Sequence, residues 1–142
     1  MPVRAVIDTN VFVGACLGQG AAWQVVRACI DGRVRPLLGA ALLAEYEDVL
    51  GRDALFRQCG LSADERQELL DIFVAQCEWV RVYFTWRPNL PDEADNHLVE
   101  LAVAAGAPFV VTRNLRDLQH AELKFPGLRC LAPQAFLKEI DP

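Results

Sequence analysis

The chain has 142 residues, 53% of them hydrophobic, and a formal net charge of −5. That size and composition suit one domain over residues 1–142 with a substantial core, and exclude a disordered chain. No apolar run reaches the ~18 residues of a membrane span, and Asp8 breaks the first apolar stretch too early for a secretion signal. The five cysteines (Cys16, Cys29, Cys59, Cys77, Cys130) are scattered with no CxxC pair, which argues against a disulfide framework or a zinc site and for reduced thiols in the cytoplasm. The acidic balance gives no global support for nucleic-acid binding. The basic residues are nonetheless arginines except for Lys124 and Lys138. Arginine's planar fork suits phosphate, although a compositional bias of the genome produces the same preference.

In chain order, Val3–Ile7 reads as a first strand. A helix follows through Val11–Leu17 and stops at Gly18-Gln19-Gly20. A second helix covers Ala22–Ile30, closed by Asp31-Gly32, and Val34–Leu38 is the second strand. Ala40–Leu50 has Leu42, Leu43, Tyr46, Val49 and Leu50 at helical spacing, and Asp53–Cys59 suggests a short further turn. Ser62-Ala63-Asp64-Glu65 is a capping box opening a helix to about Cys77. Trp79–Val82 is a third strand, and Arg87–Pro91 a loop whose proline suits the first turn of the next helix. That helix runs through Leu98, Leu101, Ala102 and Ala105 to Gly106. Phe109–Val111, Leu128–Leu131 and Ala135–Ile140 complete the pattern as two strands and a closing helix. Alternating strands and helices predict an α/β fold, a three-layer α/β/α sandwich around a central, mainly parallel five-stranded sheet.

Polar clusters interrupt the apolar strands where chemistry is expected. Asp8-Thr9-Asn10 ends the first strand and Thr112-Arg113-Asn114 the fourth, and sites in open α/β sheets form beyond such carboxyl ends. Asp8 is a candidate metal-binding carboxylate, the alternative being a helix cap. Glu45 sits among apolar neighbours, whereas Glu47 and Asp48 face solvent; alone it reads equally as a surface glutamate. Asp92, Glu93 and Asp95 crowd one helix start, where negative charge is favoured by the helix dipole. Asp92 suits the cap or a supporting role. Asp95 shares a stripe with Leu98, Val99 and Ala102, so it faces inward and needs a cation or donors. Asn114 is either a cap for a helix over Leu115–Gln119 or an amide ligand, with Asp117 as the alternate acid. His97 and His120 look isolated and are not read as ligands. Carboxylate and amide oxygens without His or Cys suit Mg²⁺ or Mn²⁺, an ion able to drive phosphodiester hydrolysis. Arg87, Arg113 and Arg116 lie close in sequence to this cluster.

Asp8-Thr9-Asn10 after strand one, Glu45 on a helix, Asp95 heading Asp95-Asn96-His97-Leu98-Val99-Glu100-Leu101-Ala102, and Val111-Thr112-Arg113-Asn114 with Asp117-Leu118 together resemble a PIN domain. The resemblance covers nearly the whole chain and is nearest to small bacterial VapC-like toxin components. It implies a metal-dependent ribonuclease with Asp8, Glu45 and Asp95 as its metal-holding acids. Asn114 stands where the family often has Asp, which bears on how many ions bind tightly, and Asp117 matches the acid of the same turn. Thr9 and Thr112 would orient the first acid or the attacking water, with Asn10 beside them. Arg87, Arg113 or Arg116 would steady the RNA backbone. The resemblance further implies a homodimer and inhibition by a small antitoxin protein.

Three other readings compete. A haloacid-dehalogenase-type phosphatase needs a second Asp where Asn10 stands, and a lysine ahead of a late acidic pair. A phospho-receiver needs an acidic pair after strand one. The strongest rival is a non-catalytic PIN-fold module that binds RNA or a protein. Against it, clustered carboxylates repel one another unless a cation intervenes.

Overall fold

A computed structural model of the chain describes residues 2–82, 96–118 and 125–141, excepting the side chains of Asn96 and Asp117. The elements are β1 (Val3–Ile7), α1 (Thr9–Cys16), α2 (Gly20–Ile30), β2 (Val34–Leu38), α3 (Ala40–Leu50), a 3₁₀ turn (Asp53–Phe56), α4 (Ala63–Ala75), β3 (Glu78–Trp79), α5 (Asn96–Ala105), β4 (Phe109–Val111), a second 3₁₀ turn (Leu115–Leu118), β5 (Arg129–Leu131) and α6 (Pro133–Ile140). All strand pairs are parallel, in the order β3-β2-β1-β4-β5. The chain therefore builds outward from β1 through β2 to β3, then returns to the other side of β1 for β4. Because parallel crossovers are right-handed, that reversal sends α5 to the opposite face from α1–α4. The α/β architecture is the one expected from the strand and helix pattern.

The central strands are buried because both faces are covered. Ala5, Val6 and Ile7 of β1 and Val110 and Val111 of β4 are all at most 1% exposed. On one face, Phe12 of α1, Tyr46 of α3 and Phe73 of α4 meet with ring centroids 5.5–5.6 Å apart, two of the three contacts edge-on, the arrangement that aromatic quadrupoles favour. On the other, α5 packs on β1, β2 and β4 through Leu98, Val99 and Ala102, which are sealed from solvent. Pro36 occupies an inner strand, normally a poor place for a residue lacking an N–H. It is accommodated because β3 pairs only with Leu37 and Leu38, leaving Pro36 beyond the end of that ladder.

Several boundaries differ from expectation. The third strand is Glu78–Trp79 rather than Trp79–Val82; only the backbone of Val80, donating to Leu38 at 2.9 Å, prolongs the pairing. The turn after β4, Leu115–Leu118, is 3₁₀, and α6 starts at Pro133, whose missing N–H costs nothing in a first turn. The Ser62–Glu65 capping box is formed in both directions. The expected Arg87–Pro91 loop and the Pro91 helix start lie outside the described residues.

Candidate active site

The site follows from the strand order. The sheet reverses direction between β1 and β4, so the loops leaving these strands diverge and open a crevice at their carboxyl ends. Asp8 and Thr112 are the first residues beyond those two strands. The Asp8 amide donates to the Val111 carbonyl at 2.9 Å, continuing the ladder one step past the strand and setting the two side chains face to face.

Asp8 occupies the N-cap position of α1, yet its side chain makes no capping bond. Its carboxyl turns into the crevice, where the Thr112 hydroxyl donates to Oδ2 at 2.8 Å. The Thr112 hydroxyl has one proton and two lone pairs. Asn10 Nδ2 donates to it at 3.3 Å and the Asn114 amide at 3.1 Å. With both lone pairs used, its proton has only Asp8 to serve. Asn10 in turn accepts from the Arg113 amide at 3.1 Å, so the start of α1 and the loop after β4 are stitched together. Burial, the largest influence, pushes the Asp8 carboxyl above its ordinary range; Thr112 pulls it back and Glu45 pushes it further up.

Glu45 reaches the crevice from α3. Tyr46, next along that helix, is buried and donates its hydroxyl to the Ile7 carbonyl at 2.6 Å, which pins α3 to the last residue of β1. Glu45 Oε1 accepts from the Thr9 hydroxyl at 2.8 Å, and the same hydroxyl lies 3.4 Å from Asp8 Oδ1. One proton cannot serve both acids, and the shorter contact takes it. Asp8 Oδ1 is thus left with a weak share, and two carboxyl groups converge on one hydroxyl.

The expectation that His97 is isolated is corrected: its Nε2 lies 2.6 Å from Glu45 Oε2. A carboxylate only accepts, so Nε2 carries the proton. This bond is the main influence holding Glu45 below its ordinary range, helped by Thr9 and opposed by partial burial. No local spacing reveals this contact, because the partner stands on α3, 52 residues earlier in the chain. A solvent-facing Glu45 is likewise ruled out, whereas Glu47 and Asp48 are exposed as expected.

Of the remaining candidates, Asn114, Arg113 and Arg116 are exposed beside the crevice, and the Arg113 guanidinium lies over Gly14 of α1, 3.2 Å from where a Cβ there would stand. Asp92, Asp95, Arg87 and His120 lie outside the described residues, as does the side chain of Asp117. Among the described residues no three His, Cys, Asp or Glu side chains group closely enough to enclose an ion. The donor set that is described nevertheless fits a hard divalent cation: two carboxyl groups with threonine hydroxyls, one carboxyl buried and incompletely hydrogen-bonded, and no ion pair to Asp8 among the described residues.

The PIN-domain family profile matches residues 4–116. This chain belongs to the PIN-domain family. The matched span runs from β1 past Asn114, and so takes in every side chain of the crevice. Three solved structures share the fold. VapBC2 from Rickettsia felis, bound to a DNA fragment from their promoter, superposes with a TM-score of 0.59 at 15% identity, over 92% of this chain and 98% of that one. The PIN domain endonuclease Utp24 gives 0.55 at 21% identity, over 92% and 85% of the two chains. PAE2754 from Pyrobaculum aerophilum gives 0.55 at 14%, over 98% and 90%. No curated protein sequence matches the chain. No helix among the described residues is long and apolar enough to cross a membrane.

Proposed function

We propose that this PIN domain is a metal-dependent endoribonuclease that hydrolyses RNA phosphodiester bonds. The observation that carries the reading is the convergence of Asp8 and Glu45 on the single Thr9 hydroxyl at the sheet's switch point, 3.4 and 2.8 Å away. Two acids placed so closely are costly unless a cation joins them. Asp8, Glu45 and Asp95 are the residues that would hold Mg²⁺ or Mn²⁺. Such an ion supplies Lewis acidity, polarising a phosphoryl oxygen and acidifying water for in-line attack.

The chain's own groups do the positioning. Thr112, with its lone pairs filled by Asn10 and Asn114, aims the Asp8 carboxylate. Thr9 and His97 fix the plane of Glu45 by bonding one oxygen each. Asn114 and Asp117 would be further oxygen donors to this centre, and Asp92 would support Asp95. Arg87, Arg113 and Arg116 are assigned to the RNA backbone, where phosphate contacts set register without reading sequence. The resemblance to VapC-like proteins supports a toxin's role in the cytoplasm, a homodimer and a small antitoxin partner.

The test is cleavage of a pool of single-stranded and structured RNA with Mg²⁺, Mn²⁺ or EDTA, using wild type beside Asp8→Asn and Asp95→Asn. Cleavage that needs the ion and is lost in both variants is expected. A folded wild type that cuts nothing with either ion would favour a non-catalytic PIN module binding RNA or protein.

A further inference from the structure

Beside the crevice, beyond the carboxyl ends of β2 and β3, lies a separate cavity of about 510 Å³. The first turn of α3, residues Ala40–Leu42, lines one side of it, and the 11-residue helix has no side-chain cap at Gly39. Amides of an uncapped first turn point outward as hydrogen-bond donors. Trp79, 51% exposed, lines another side. Glu100 of α5 lines a third and is 93% buried, since only 7% of it is exposed. Its Oε1 is sealed from solvent and has no hydrogen-bond partner among the described residues. A buried acceptor left unmatched costs about 1–3 kcal/mol in general; a ligand that draws the Glu100 carboxyl into the cavity would relieve that cost.

The cavity adjoins the proposed cleavage centre. His97 lines it and also bonds Glu45 at 2.6 Å. We infer that it is a base-recognition subsite for an unstacked guanine of single-stranded RNA, with Glu100 as its reading residue. This rests on the nuclease reading above.

The cavity and the base have complementary edges. RNA readers bind splayed bases by stacking them on aromatic rings and bonding their Watson–Crick edges. The cavity offers one aromatic surface, one buried carboxyl acceptor and a row of backbone donors. Guanine's edge presents two adjacent donors, N1–H and the N2 amino group, followed by the O6 acceptor. The donors match the Glu100 carboxyl and O6 matches the amides of Ala40 and Ala41. The other three bases each present an acceptor next to their donor, which would face the carboxyl oxygen across the edge. Trp79 supplies the stacking surface, which is tolerant of base identity, so selectivity falls on Glu100.

The probe is a set of pentanucleotides, UUUUU, UUGUU, UUAUU and UUCUU, titrated calorimetrically into the full chain in EDTA so that nothing is cut. UUGUU is expected to bind about tenfold more tightly than the other three, the selectivity one good paired base contact provides. Glu100→Gln keeps the shape but swaps one acceptor for a donor, and should bring all four within about twofold. Trp79→Ala, at an exposed position, should weaken UUGUU at least fivefold without moving the melting temperature, and serves if Glu100→Gln fails to fold. Equal binding of the four by wild type, or a guanine preference that survives in folded Glu100→Gln, would overturn the subsite. Ion-dependent cleavage with no base preference would remove the subsite and leave the nuclease. Glu100-dependent guanine binding by a chain that cuts nothing would keep the subsite and remove the nuclease.

Discussion

The two ends of the sheet treat charge in opposite ways. At the amino end, carboxylates are paired with arginines. Arg4 of β1 grips Glu78 at 2.6 Å and the Ala105 carbonyl at 2.7 Å, joining β1, β3 and the end of α5. Arg33, just before β2, meets Asp141 at 2.8 Å, and Arg129 of β5 meets Glu139 at 2.8 Å. At the carboxyl end, Asp8 and Glu45 have hydroxyls and an imidazole for company, and no arginine within ion-pair distance among the described residues. The amino end is arranged to hold the fold together. The carboxyl end keeps the Asp8 carboxyl buried with no arginine or lysine against it among the described residues, at a cost that burial sets.

The largest expected effect that separates the two ends is that of Asp8→Asn. It should abolish ion-dependent RNA cleavage while leaving the metal-free protein as stable as wild type at neutral pH, or more so. The reason is the direction of the titration. Asp8 is shifted upward by burial, so its favourable contribution is complete below the ordinary carboxylate range and is lost as pH rises through its folded-state value. Glu45 is shifted downward; its contribution is present above the ordinary range and is lost as pH falls through its lower folded-state value. Metal-free wild type should therefore lose melting temperature as pH rises above the carboxylate range, and Asp8→Asn should lose less. Thermal melts across pH in EDTA measure the difference.

A smaller effect is expected from the groups that aim the acids. Thr112→Val removes the proton directed at Asp8, and His97→Ala removes the one on Glu45. Each should weaken Mn²⁺ binding about 10–100-fold, the range for partners that orient metal ligands, as read by calorimetry. Thr112→Ser, which keeps the hydroxyl, should recover most of the loss. The smallest effect belongs to the other end. Arg33→Ala should cost no more than about 1 kcal/mol, diminishing with added salt, because the partners are 47% and 66% exposed. Its RNA cleavage should be unchanged. An Arg33→Ala variant that cut poorly would break the division between the two ends.

The acid-bearing end was partly legible in the sequence, whereas the Arg4–Glu78 and Arg33–Asp141 pairs of the other end join residues far apart in the chain and left no signal. Asp8 and Thr112 were recognisable because short apolar runs end abruptly on them, and strand order makes those two ends neighbours. β2 and α3 fell where hydrophobic spacing placed them, and the Ser62–Glu65 motif carries its own geometry. What failed was what depends on tertiary neighbours. β3 stops short of its apolar run, with Val82 beyond its end left 38% exposed. Glu45 was ambiguous because a single glutamate on a helix has no pattern. Only Tyr46, anchoring the helix to Ile7, decides which way it turns. His97 looks isolated in the sequence because its partner stands 52 residues earlier in the chain. Glu100, inside Leu98-Val99-Glu100-Leu101, reads only as a polar break in an apolar stripe.

The most direct test of the central claim is Mn²⁺ binding at neutral pH by titration calorimetry, on folded wild type and Asp8→Asn in parallel. Wild type is expected to bind the ion, gaining melting temperature by mass action, and Asp8→Asn to lose both the binding and the gain. Equal binding by the two proteins, or none by wild type, would contradict it.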